Sequence, residues 1–249
     1  MTTLNIASYN IHKGYTHFNR RVMLHELREQ LHRLGPDIVF LQEVCGEHTR
    51  QTWRRLEAPA GPQHEFLALE GWPHLAYGQN RETRHGHHGN AILSRYPILR
   101  WDNQDISAHR FEGRGALHCE IALPDRPHPL HCLCVHLGLF KPGRTQQMGD
   151  LVARIRRLVP DEAPLIIAGD FNDWNNHAGR QLAQELGLHE AFEHCHGRLA
   201  RSFPAHLPLL RLDRIYVRGL QVTSGTVLSG APWNKLSDHA PLSVTLELG

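Results

Sequence analysis

The run Ile166-Ile167-Ala168-Gly169 is apolar and rich in β-branched residues, and it stops at Asp170, with Asn172 two positions on. Such a run reads as a buried strand. A carboxylate at its end is costly unless it is paired, hydrogen-bonded or bound to a cation. The same kind of ending recurs along the chain. Leu4–Tyr9 runs into Asn10, Ile38–Gln42 into Glu43 and Leu130–Val135 into His136. Leu236-Ser237-Asp238-His239-Ala240-Pro241 then precedes the last apolar run, Leu242–Leu248. A chain built this way must fold into sheets whose strand ends gather polar groups at an edge that a ligand can reach.

The segments between these strands fill in the architecture. Leu24, Leu27, Leu31 and Leu34 recur at helical spacing and predict an amphipathic helix over Asn19–Leu34. Asn19 would cap it and Gly35-Pro36 would stop it. A second helix is expected from Glu47 to just before Pro59. Strands are expected at Ala91–Ser94, from Ile98, at Ala116–Leu123 and at Leu130–Leu137, the last two joined by the turn Pro124-Asp125-Arg126-Pro127. Helices follow at Gln146–Val159 and Ala178–Leu186, and strands at Leu212–Val217, Gln221–Leu228 and Leu242–Leu248. Many strands with a few interspersed helices predict an α/β sandwich, sheets inside and helices outside. With no repeat or long linker, residues 1–249 read as one domain, each half contributing one sheet.

Charge narrows the function classes. Lys and Arg exceed Asp and Glu by only two, so composition does not demand a broad nucleic-acid-binding face. The 21 His make the charge sensitive to pH near 6. Cys132 and Cys134 share a strand face and cannot pair with each other in regular β geometry. The five cysteines therefore read as buried, reduced thiols and favour a cytoplasmic protein. The N-terminal residues read directly as a strand, not a signal peptide, and no apolar run is long enough to span a bilayer.

Seven motifs occur in one order: Ser8-Tyr9-Asn10-Ile11, Leu41-Gln42-Glu43, Gly89-Asn90-Ala91-Ile92-Leu93-Ser94-Arg95, Val135-His136-Leu137, Gly169-Asp170-Phe171-Asn172, Leu212-Asp213-Arg214-Ile215-Tyr216 and Ser237-Asp238-His239-Ala240-Pro241. Together they resemble the endonuclease/exonuclease/phosphatase superfamily over nearly the whole chain. The resemblance implies the DNase I-like fold, a four-layer α/β sandwich of two mixed sheets packed face to face. It also implies a hydrolase of phosphoester bonds, chiefly a phosphodiesterase or nuclease, using Mg²⁺ or Mn²⁺. In that family the Asp equivalent to Asp170 orients or deprotonates the attacking water, and the Asn equivalent to Asn172 holds a phosphate oxygen. Asp213 and His239 would form a hydrogen-bonded dyad, and His136 would donate to a phosphate oxygen.

The residues carry their own argument beside the resemblance. Glu43, Asn10 and Asp238 offer the hard oxygens that Mg²⁺ prefers, and thiolates are absent from the set. Each also has a plainer reading: Glu43 as an ion-paired strand end, Asn10 as a turn residue, Gly169–Asn172 as a turn, and His136 as a satisfied histidine. Arg114, between two glycines, can clamp phosphate or lie solvated. Asn90 has the same standing, as have Arg144 and Lys141 at the mouth. His85-Gly86-His87-His88 reads as a mobile loop at the entrance. Trp174 and Trp233 either contact substrate or pack beneath loops. Arg198, Arg201, Arg211, Arg214 and Arg218 permit a nucleic-acid groove. An apolar or narrow mouth would instead fit a phospholipid or a small inositol-phosphate-like ester. A silent binding module would have lost one or more of the strand-end groups, and all are present. No protein partner is inferable.

Overall fold

The structure, a computed structural model, describes residues 2–16, 22–48, 61–84 and 86–248. Its strands are β1 (Thr2–Asn10), β2 (Ile38–His48), β3 (His74–Thr83), β4 (Gly86–Ser94), β5 (Ile98–Asp105) and β6 (Gly115–Ile121). They continue with β7 (Leu130–His136), β8 (Leu165–Asp170), β9 (His189–Glu190), β10 (Asp213–Arg218), β11 (Gln221–Val227) and β12 (Leu242–Leu248). The α-helices among the described residues are α1 (Leu24–Leu34), α2 (Gln63–Ala68), α3 (Lys141–Leu158), α4 (His177–Leu186) and α5 (Ala191–His196). The strands form two six-stranded sheets, ordered β11-β12-β1-β2-β4-β3 and β5-β6-β7-β8-β10-β9.

Side-chain alternation builds the layers. In the first sheet Leu4, Ile6, Ile38 and Phe40 face Cys132, Cys134, Ile166 and Ala168 of the second, all buried between the sheets. The alternate residues Ala7, Tyr9, Val39 and Leu41 face outward onto Leu24, Leu27 and Leu31 of α1. On the far side Leu133, Val135, Leu165 and Ile167 meet Leu151 and Ile155 of α3 and Leu182 of α4. The result is the expected four-layer α/β sandwich. Central strands buried on both faces explain why their sequences read as nearly continuous apolar runs.

Four expectations change. The two sheets do not divide the chain in half, because β11 and β12 return to the first sheet, where β12 pairs antiparallel with β1. Helix α1 begins at Leu24; the expected cap, Asn19, lies outside the described residues. The helix expected from Glu47 starts as strand, since β2 runs to His48, and the rest of that segment lies outside the described residues. His87 and His88 are not loop residues: they pair within β4 between β2 and β3, and His87 Nδ1 lies 2.9 Å from the Tyr77 hydroxyl. His85 lies outside the described residues. All five cysteines are unpaired, and burial pushes the Cys134 thiol up to about 12.

Glu190 gives the fold a pH dependence. Its Oε2 accepts the Glu193 amide at 2.7 Å and starts α5, while its Oε1 is buried with no partner. Burial pushes its carboxyl up from 4.5 to about 7, against the Glu193 hydrogen bond and the Arg214 charge. The folded state therefore holds a proton that the unfolded state has released. The stability tied to that proton is full below pH 4.5 and is lost as pH rises through about 7. Glu190→Gln keeps the cap without the ionisation. Thermal melts should show no advantage for it at acid pH and a gain on the order of 2–3 kcal/mol at pH 8. An advantage that does not change with pH would refute this account.

Candidate active site

The strand pairings bring the expected residues to one place. β7 and β8 are parallel with His136 opposite Asp170, and β10 runs antiparallel to β8 with Asp213 opposite Asp170. In the other sheet β1 and β2 are parallel, pairing as far as Asn10 and Gln42, with Glu43 directly after, while the segment Ser237–Pro241 enters β12 beside β1. The sheets meet where Asn10 Nδ2 donates to Asp170 Oδ2 at 3.1 Å. Asp170 is the hub. Its Oδ1 accepts the Asn172 amide at 3.0 Å, and its Oδ2 lies 3.5 Å from His136 Nε2 and 3.7 Å from His239 Nε2.

His239 Nδ1 donates to Asp213 Oδ2 at 2.8 Å, and the Ser202 hydroxyl donates a short hydrogen bond to the same oxygen. The Phe203 ring lies against the imidazole, centroids 5.0 Å apart. Burial opposes charge on His239, but the Asp213 and Asp170 carboxylates outweigh it and push the imidazole up to about 10. Burial pushes Asp170 up to about 6, restrained by the His239 charge and by hydrogen bonds from Asn172 and Asn10. His136 is driven well below its ordinary value by burial and then by the Arg114 and His239 charges, so it is neutral. Its Nδ1 accepts from Arg114 Nη1 at 3.3 Å, which leaves Nε2 as the protonated, donating nitrogen.

A turn at the end of β1 adds residues that the sequence reading did not single out. His12 and Lys13 both have left-handed backbones, as do Glu43 and Asn172. Four of the seven non-glycine residues with positive φ among the described residues thus sit at this site, where such strain commonly accompanies function. His12 Nδ1 lies 2.8 Å from Asp238 and Lys13 Nζ 3.5 Å from Glu43, while Asn10 Oδ1 accepts the His12 amide. The Asp238 hydrogen bond holds His12 above its ordinary value. Burial works against charge on Asp238, but His12 and His239 outweigh it and hold the carboxyl below its ordinary value. The run Ile11-His12-Lys13-Gly14, directly after a strand-end Asn, was the available signal. Ser202 and Phe203, from the loop before β10, carried none.

The oxygens of Glu43, Asp238 and Asn10 fit a hard divalent cation. Both carboxylates are part-exposed, and each is matched by a positive side chain that a cation would displace. The tighter trio of ligand-type atoms, Asp170, Asp213 and His239, lies within 4.8 Å of one another. It fits a cation less well: Asp213 Oδ2 already takes two hydrogen bonds, and His239 is itself positive.

Several expected substrate contacts are engaged elsewhere. Asn90 is fully buried and its amide donates to the Gly115 and Cys134 carbonyls, tying the two sheets together. Arg144 is buried on α3 and donates to the Gly138 and Leu139 carbonyls, bracing the segment after His136. Asn172 leaves strand geometry, and its amide donates to the Leu137 carbonyl at 2.9 Å. Of the arginine group, Arg214 is buried and Arg218 is spent on the Pro160, Ala163 and Leu186 carbonyls. Trp233 packs edge-on against Tyr9, whereas Trp174 is exposed. Arg114 alone among the expected phosphate clamps reaches the cluster, through His136. Arg144→Ala strands two carbonyls, so it should cost about 1–3 kcal/mol in denaturant unfolding. It should leave turnover well above that of any hub variant; a collapse of activity with unchanged stability would contradict the bracing role.

Two mixed sheets packed as a sandwich, with this cluster at their shared edge, define the DNase I-like class of proteins. The chain belongs to the Endonuclease/Exonuclease/phosphatase family, whose sequence pattern matches residues 7–239. Members of that family are generally hydrolases of phosphoester bonds and typically use divalent metals. The uncharacterized protein YbhP of Escherichia coli (strain K12) is 45% identical over 246 residues, covering 99% of this chain and 97% of its own. A solved endonuclease/exonuclease/phosphatase from Beutenbergia cavernae DSM 12333 matches all of this chain and 72% of its own, with TM-score 0.77 and 19% identity. The mannosyl-6-phosphatase Bt3783 of Bacteroides thetaiotaomicron VPI-5482 matches 98% of this chain and 99% of its own, with TM-score 0.72 and 17% identity. At such identities the two structures establish shared fold. No helix among the described residues is long and apolar enough to cross a membrane.

Proposed function

We propose that this chain, acting as one domain, is a metal-dependent phosphodiesterase that hydrolyses a P–O bond by in-line attack of water. The observation that carries the reading is the position of Asp170, a buried carboxylate held by Asn10 and within 4 Å of two imidazoles. Asp170 aligns the water and takes its proton as the water oxygen bonds to phosphorus. The ester P–O bond breaks, and the alcohol leaves with a proton, so one diester and one water give one monoester and one alcohol. His239, kept positive by Asp213, and His136 Nε2–H face the non-bridging oxygens, where negative charge builds. Arg114 adds a guanidinium beside His136. Asn172, whose amide is held by the Leu137 carbonyl, keeps Asp170 aimed through its backbone N–H. Glu43, Asp238 and Asn10 would hold Mg²⁺ or Mn²⁺, which when bound would neutralise phosphate charge.

The unpaired thiols support a cytoplasmic location within this reading. Intact strand-end groups argue against a silent binding module. The test is hydrolysis of bis(p-nitrophenyl) phosphate with Mg²⁺ or Mn²⁺ and again after EDTA, alongside p-nitrophenyl phosphate. The monoester arm is included because the fold neighbour Bt3783 is a phosphatase. Abasic and single-stranded DNA, RNA, phospholipids and inositol phosphates extend the panel; the DNA and RNA arms test the nuclease form. Turnover of the diester that EDTA abolishes is expected. Inactivity on every ester would sink the proposal.

A further inference from the structure

Four loops surround the catalytic cluster. Residues 137–144, a loop and the first turn of α3, follow His136, and residues 171–176 follow Asp170. Residues 106–114 lead to Arg114 and lie against Gly138, where an added Cβ would meet Glu112 Oε1. Residues 201–211 lead into Asp213 and reach the opposite sheet, where the Ala205 amide donates to the Asp238 carbonyl. Their tips carry large apolar side chains turned to solvent. Phe140 is 75% exposed, Phe111 67%, Leu207 59% and Trp174 56%, with Leu139, Leu209 and Leu210 beside them. Seven of the eleven exposed large hydrophobic residues of the described chain fall on these loops, a concentration that marks a contact surface.

The charges on the same loops have one sign. Arg110, Arg114, Lys141, Arg201 and Arg211 reach the surface. Arg110 lies over the Phe111 ring at 4.4 Å. The loops' two carboxylates are engaged inward: Glu112 accepts from Gln147 and the Ala108 amide, and Asp173 accepts the Gly179 amide. Arg201 and Arg211 also line a groove of about 470 Å³ with Arg198, Phe192, Leu199 and Val227, and no carboxylate lines it. A second copy of this face would oppose cation to cation. Single-stranded nucleic acid would use the cations and stack on Phe111, Phe140 and Trp174, but the four leucines among the seven tips offer a base no flat face. Leucine, phenylalanine and tryptophan tips ringed by Arg and Lys fit the interface of an anionic bilayer.

We propose that these four loops dock the catalytic cluster onto an anionic phospholipid surface, and that the diester hydrolysed is a phospholipid headgroup. The substrate half rests on the phosphodiesterase reading; the docking half does not.

The experiment pairs vesicle sedimentation with two activity measurements. Wild-type protein should sediment with phosphatidylglycerol vesicles, less in high salt, and poorly with phosphatidylcholine vesicles. The variant Phe140→Ser/Leu207→Ser/Leu209→Ser should lose at least about tenfold in partition. It should keep bis(p-nitrophenyl) phosphate turnover within about twofold, because the three side chains are turned to solvent and none belongs to the catalytic cluster. Phosphorus NMR of phosphatidylglycerol vesicles should show diester converting to monoester. Failure of the wild type to sediment, equal partition by the variant, or loss of oligonucleotide binding instead of vesicle binding would overturn docking. Sedimentation and bis(p-nitrophenyl) phosphate turnover without lipid conversion would overturn the substrate assignment. Sedimentation without turnover of either ester would support docking while removing the phosphodiesterase reading.

Discussion

Replacing Asp170 by Asn should lower turnover of bis(p-nitrophenyl) phosphate by roughly a thousandfold, within the range for a lost general base. The amide matches the carboxylate in size but cannot take a proton at neutral pH. It also removes the negative charge that lies 3.7 Å from the His239 imidazolium. Asp170 now accepts from both Asn10 and Asn172, and an amide offers one oxygen for those two donors. Circular dichroism and a melt separate this cost from chemistry. Adding His239→Gln to the variant should cost little more than the worse single change, because groups that act as a unit are not additive. Multiplicative losses would show that the two groups act independently, and an Asp170→Asn enzyme within tenfold of wild type would remove Asp170 from the reaction.

The second large effect is at Glu43. Glu43→Gln should reduce kcat/KM at a fixed Mg²⁺ concentration by at least about a hundredfold, since a lost metal ligand costs no less than a lost supporting partner. The separate readout is thermal. An ion present at a hundred times its Kd stabilises a protein by about 2.7 kcal/mol. Wild type should therefore melt higher with Mg²⁺, and Glu43→Gln should not. Asp170→Asn should keep the Mg²⁺ shift, because Asp170 lies outside the proposed donor set. The two variants thus dissociate metal binding from water alignment. A Glu43→Gln protein that still gains stability from Mg²⁺ would move the metal elsewhere.

Much of this site was legible because its cost is local. A carboxylate ending a buried apolar strand must have a partner wherever it sits, so Asp170 and Glu43 stood out from neighbours alone. Leucine spacing in α1 was equally plain, since amphipathic periodicity is a property of one segment. Strand β3 went unread: its inner half is partly buried but its outer half is polar and exposed. Asn90, Arg144 and Asn172 share a feature that their own segments do not announce. Each reads as free to hold a phosphate oxygen, yet the Asn90 amide, Arg144 Nη1 and one Asn172 amide hydrogen go to carbonyls brought in by the fold. A sequence lists donors; it does not list which carbonyls are left without partners.

By itself the sequence determined most of the central strands and the polar groups that stand on or just after them at the site. Those follow from short-range rules of burial and periodicity. Tertiary structure alone decided that His12 and Lys13 balance the two outer carboxylates, that Ser202 braces Asp213, and that apolar tips ring the site. Strand register set the first two, by laying together chain ends far apart in sequence. Loop placement set the third, because exposure depends on what fails to pack against a side chain as much as on the side chain itself.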